Sequence, residues 1–168
     1  KESYVVLIKS KELSKNNGIY TYVLDSSKDK IDIIKSIENS LSLKSYYCQP
    51  KVSILNPTSK NLADYSYPKV EQWLRGFYDA EFVITDSFHG TVFSIIFNKP
   101  FIAFANKERG ASRFESLLGQ LGLLDRLIYS YNKDDIDRIT ASPINYNEIN
   151  YKIEELKLKS IKLLINNL

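Results

Sequence analysis

The chain has 168 residues, 43% of them hydrophobic and 26% charged, with a net charge of +3. That suits one globular domain with a buried core, and the scattered lysines form no cationic stripe of the kind that tracks a nucleic-acid backbone. One cysteine and one histidine exclude an internal disulfide framework and leave a structural zinc site without its usual ligands.

The chain starts at Lys1 and contains no methionine, so the expectation is one domain of a longer polypeptide. Residues 1–18 read as a lead-in or linker, with Tyr4–Ile8 (YVVLI) short and extended and Asn17-Gly18 a turn. A Rossmann-like domain is expected from 19 to 168. "IYTYVLD" is its first strand. "SSKDK" supplies N-cap residue types before "IDIIKSIENSL", where Ile33, Ile34, Ile37 and Leu41 share a helical face. "KSYYCQ" is a second strand, followed by a loop from Pro50 to Pro68. "KVEQWLRGFYDA" sets Val70, Trp73, Leu74 and Phe77 at helical spacing, and "EFVIT" is the apolar run of a strand covered on both faces.

"SFHGTVFSIIFN" reads as a helix apolar on most sides, hence buried. "KPFIAFA" is a strand, "SRFESLLGQLGL" a helix ending near Gly122, "DRLIYS" a short strand and "KDDIDRI" a helix of one or two turns. From Asn147 onward, Ile149, Ile153, Leu156, Ile161, Leu164 and Ile165 mark a lysine-rich amphipathic helix. Strand and helix alternate about five times, the pattern of βαβ units around a mostly parallel sheet in three layers. Such sheets bind ligands beyond the carboxyl ends of their strands.

The only histidine, His89, falls at that edge, in "DSFHGT" between a strand and a helix. A helix N-terminus there offers backbone N–H groups and partial positive charge. Gly90 would let a ligand approach closely, Ser87 and Thr91 would offer hydroxyls, and His89 a proton or a charge. After the next strand, "NKERGASRF" brings Lys107, Arg109 and Arg113 to the same edge, as suits phosphate or carboxylate recognition. Plainer roles stand beside these. Ser87 or Asp86 could simply cap the helix, and Trp73 and the tyrosines could simply pack. Cys48 reads as a buried small side chain, and Asp79 and the Asp134/Asp135 pair as surface or cap carboxylates.

The block "DAEFVITDSFHGTVFSIIFNKPFIAFANKERGASRFESLLGQLGL" closely resembles the C-terminal region of the polysaccharide pyruvyl transferases, and a weaker resemblance runs over residues 19–165. The resemblance implies the C-terminal half of a glycosyltransferase-B-like enzyme that moves pyruvate from phosphoenolpyruvate onto two sugar hydroxyls as a cyclic ketal. It implies bacterial surface polysaccharide as product and His89 as a catalytic residue in the donor site. Substrate binding is expected from Ser87, His89, Gly90, Thr91, Lys107, Arg109 and Arg113, with a general acid from an N-terminal domain. Other members carry arginine at the position of Ser87, so Arg109 or Arg113 is expected to supply that charge here. No metal or cofactor is called for, phosphoenolpyruvate being a substrate. The acceptor is a saccharide, lipid-linked or free, and the setting is the cytoplasm or the inner face of its membrane. A nucleotide-sugar glycosyltransferase and a non-catalytic sugar-binding domain are the competing readings.

Overall fold

The computed structural model describes residues 1–9, 15–25, 27–50, 58–105 and 110–166. In chain order the elements are α1 (Glu2–Lys9), β1 (Ile19–Tyr22), α2 (Lys28–Leu41), β2 (Ser45–Tyr46), α3 (Val70–Asp79), β3 (Phe82–Thr85) and α4 (Phe88–Ile96). Then come β4 (Phe101–Phe104), α5 (Ala111–Leu121), β5 (Leu127–Ile128), α6 (Lys133–Ala141) and α7 (Tyr146–Asn166). Short 3₁₀ turns occupy Leu62–Tyr65 and Leu124–Arg126.

The five strands form one sheet in the order β2-β1-β3-β4-β5, every neighbouring pair parallel. β3 and β4 are buried along their whole length, as their unbroken apolar runs require of strands with helices on both sides. On one side Ile33 and Ile37 of α2 and Ile136 and Ile139 of α6 close over Ile84, Ile102 and Phe104. On the other, α1, α3, α4, α5 and α7 cover Tyr20, Val83, Phe101 and Ala103. This is the Rossmann-like three-layer arrangement. From β1 the chain crosses to β2 through α2 on one face, and then returns past β1 to β3 through α3 on the other. The switch point, where such sheets open a ligand crevice, therefore lies between the carboxyl ends of β1 and β3.

Caps fall where the residue types indicated. Ser27 accepts from the Lys30 N–H at 3.3 Å to start α2, and Gly122, at φ 75°, ends α5 in the left-handed conformation that favours glycine. Other expectations are corrected. Tyr4–Ile8 is helical, not extended: Ile8 is fully buried in the core and Tyr4 meets the Phe93 ring edge-on at 5.2 Å. Packing of α1 on α3 overrides the strand preference of its paired valines. β2 is two residues long rather than six. Asp79 is no surface carboxylate; its side chain is 2% exposed, bonded to Arg75 Nε at 2.7 Å and to the Asn16 N–H at 3.0 Å. In α7 only Ile149 is fully buried, with Ile153 and Leu156 packed partly against the core, while Ile161, Leu164 and Ile165 are exposed.

Candidate functional site

The ends of β1 and β3 are joined by side chains. The Thr85 hydroxyl donates to the Tyr22 carbonyl at 2.7 Å and accepts from the Ser87 N–H at 3.1 Å. Asp86 accepts from the Leu24 N–H at 2.8 Å and the Asp25 N–H at 3.4 Å, and pairs with Lys30 at 2.5 Å. These bonds take the chain out of the β1 ladder after Tyr22, which is why the strand stops short of Asp25.

α4 begins on the same wiring. Ser87 is its N-cap, accepting from the Gly90 N–H at 3.4 Å, so the capping role belongs to Ser87 and not to Asp86. The Thr91 hydroxyl donates back to the Ser87 carbonyl at 3.2 Å, and Ser94 to the Gly90 carbonyl at 2.8 Å. Ser87 and Thr91, expected to turn hydroxyls toward a ligand, are buried with those hydroxyls engaged inside the protein. Gly90 is also buried; a Cβ there would stand 2.2 Å from Thr85 Oγ1. The missing side chain leaves room for Thr85 of β3.

His89 is exposed. Its ring lies 6.3 Å from that of Phe88, and the Arg113 guanidinium sits over the same Phe88 ring at 5.4 Å, a cation–π contact. Arg113 is exposed as well. Two of the expected site residues, on the first turns of α4 and α5, thus share one aromatic ring at the carboxyl edge of the sheet. The α4 macrodipole adds partial positive charge beside them. Lys107 and Arg109 lie outside the described residues.

One feature of this edge was missed from sequence. Tyr22, Cys48, Tyr67, Pro68, Val70 and Trp73 line a cleft of about 160 Å³. Trp73 is edge-on to Tyr22 at 5.5 Å and to Phe93 at 5.0 Å. Burial raises the pKa of both the Tyr22 phenol and the Cys48 thiol, and the nearby Trp73 indole N–H opposes the rise at Tyr22. That N–H has no hydrogen-bond partner of good geometry among the described residues. The available signal was a tyrosine at the last position of a first strand, where ligand crevices open. Among the described residues no three His, Cys, Asp or Glu are grouped to hold a metal ion, and no helix is long and apolar enough to cross a membrane.

The model of the family described as polysaccharide pyruvyl transferase matches residues 2–108. The chain belongs to that family. No curated protein matches it. The family match runs from α1 through β4 and takes in the loop from Thr85 to Gly90 with its histidine; α5 and Arg113 lie beyond it. As a polysaccharide pyruvyl transferase, the chain has transferase chemistry and a saccharide acceptor.

Proposed function

We propose that the chain carries the donor site of a transferase that takes pyruvate from phosphoenolpyruvate and sets it on a sugar as a cyclic ketal. The observation that carries this reading is the pair His89 and Arg113, both exposed and both set against the Phe88 ring at the head of α4, beside the switch-point crevice. An imidazole and a guanidinium at a helix N-terminus suit a small anion bearing both phosphate and carboxylate. Lys107 and Arg109, close in sequence to Arg113, are assigned further charge for the same anion. Ser87, Gly90 and Thr91 serve by building the turn that presents His89.

The reaction asks little covalent chemistry of these residues. A proton goes to the methylene carbon of the enol phosphate, and one sugar hydroxyl adds to the resulting oxocarbenium carbon with loss of its proton. The carbon–oxygen bond to phosphate then breaks, phosphate leaving with the bonding electrons. A second hydroxyl closes the ketal and loses its proton. Of the two hydroxyl protons, one balances the proton on the new methyl group and the other ends on phosphate. His89 and Arg113 hold the phosphate and stabilise the charge that gathers on it as it leaves. The acid that protonates the methylene is assigned to an N-terminal domain of a glycosyltransferase-B-like whole. A cytoplasmic setting suits this donor, and a lipid-linked acceptor would bring the protein to the inner membrane face.

Because His89 is the only histidine, its imidazole signals in a labelled sample are unambiguous. Titration with phosphoenolpyruvate should give a saturable shift that Arg113→Ala weakens. A shift with a nucleoside diphosphate and none with phosphoenolpyruvate would overturn the reading in favour of a nucleotide-sugar transferase.

A further inference from the structure

We infer that the cleft between Tyr22, Tyr67 and Trp73 seats one pyranose ring of the saccharide acceptor. The inference rests on the proposed donor site at His89, which it places next to the acceptor.

Position comes first. The cleft opens at the carboxyl end of β1, on the switch-point crevice. Trp73 touches Phe93 at 5.0 Å, and His89 precedes Phe93 by four residues on α4, which puts it on the same helical face about 6 Å further toward the sheet's carboxyl edge. A ring held against Trp73 would therefore lie beside the anion held at His89, as two hydroxyls attacking a donor carbon require.

Chemistry separates the two sites. None of the six residues lining the cleft carries a formal charge, so it does not suit a phosphate or a carboxylate. Three of them are aromatic, with an apolar face and a polar tip, and a pyranose is built the same way, with C–H groups on its faces and hydroxyls around its edge. The Tyr22 phenol, its pKa raised by burial, stays a protonated hydroxyl able to donate as well as accept. Tyr67 is 79% exposed and Val70 63% exposed, so these side chains remain available rather than packed into the core.

Size agrees. A cavity of ~150 Å³ holds a benzene ring, and the cleft's volume of about 160 Å³ accommodates one six-membered ring.

Trp73 is the only tryptophan, so its fluorescence reports on this cleft alone. Methyl galactoside, methyl glucoside and methyl mannoside are titrated separately into the chain, with sorbitol as an open-chain control. The expected result is a saturable change with at least one pyranoside and none with sorbitol. Tyr67→Ala should weaken that binding about tenfold, while Tyr67→Phe and His89→Ala keep it. The loss of Tyr67 should leave circular dichroism unchanged, since the side chain is exposed. No saturable change with any of the three pyranosides, an equal change with sorbitol, or full binding by Tyr67→Ala overturns the inference. A phosphoenolpyruvate shift at His89 without any pyranoside signal removes the acceptor cleft and leaves the donor site. A pyranoside signal without the His89 shift does the reverse.

Discussion

The Asp86 carboxylate accepts the Leu24 N–H at 2.8 Å, fastening the loop after β1 to the loop after β3 across the switch point. Asp86 also holds Lys30 at 2.5 Å, and Asp25 bonds the same ammonium. The carboxylate's side chain is only 8% exposed, so removing it takes the acceptor from two backbone donors and leaves Lys30 paired with Asp25 alone. Asp86→Ala should lower stability by about 1.5–3 kcal/mol in chemical denaturation, the range for hydrogen bonds to charged groups. It should also disorder the approach to the crevice.

The same cluster makes a signed prediction for pH. Burial pushes the Lys30 pKa down, but the Asp25 and Asp86 carboxylates outweigh it, and the net direction is up from 10.5. A lysine raised in the folded state stabilises fully below its unfolded value and loses that contribution as pH rises through the folded value. Wild type should therefore lose stability relative to Lys30→Met above about pH 10.4, and the two should differ by a constant amount from pH 7 to 9. A constant difference up to pH 12 would mean that the pairs contribute nothing.

Gly90 and Thr85 make the tightest contact of the site. A Cβ at 2.2 Å from Thr85 Oγ1 has to displace a hydroxyl that already bonds Tyr22 and Ser87. Gly90→Ala should cost about 1–3 kcal/mol, the usual cost of overpacking. Thr85→Ala in the same chain should cost less than the sum of the two changes, because they share one contact. Additive losses would show that α4 is not seated on Thr85 as described.

How far the sequence could be read depended on what each residue answers to. β3, β4 and α5 were legible because burial on both faces, or on one helical face, writes its own periodicity. α1 was not, because its "YVVL" run carries a strand preference and only the ring of Tyr4 against Phe93 and Phe97 shows what it packs on. His89 was legible from its place between a strand and a helix. The purpose of Gly90 was not, since an absent side chain looks the same whether a ligand or Thr85 fills the gap. The aromatic cleft draws on positions 22, 48, 67, 68, 70 and 73, and the fold alone brings them together.

Core and surface apolar residues should separate sharply by measurement. Ile8 is fully buried while Leu164 is 68% exposed, although both lie in terminal helices. Ile8→Ala should cost about 2–4 kcal/mol, and Leu164→Ala less than about 0.5 kcal/mol. Equal losses would mean that α1 is only loosely attached, or that the far end of α7 is covered in solution.

Arg113 tests the donor reading most directly, because its geometry separates charge from shape. Its guanidinium lies over the Phe88 ring at 5.4 Å, where a flat cation can stack and still offer N–H groups at its edge. Lysine keeps the charge but loses the flat fork. If the two residues hold one anion, Arg113→Ala should weaken phosphoenolpyruvate binding at the His89 imidazole at least tenfold, or about 1.4 kcal/mol, and Arg113→Lys should recover only part of it. Stability should change by less than about 0.5 kcal/mol in both variants, as expected of an exposed side chain. Higher salt should weaken wild-type binding more than binding by Arg113→Ala, which has one charge fewer to screen. Full recovery by lysine would reduce the role of Arg113 to charge alone. Unchanged affinity in Arg113→Ala would remove it from the site and pass its role to Lys107 or Arg109.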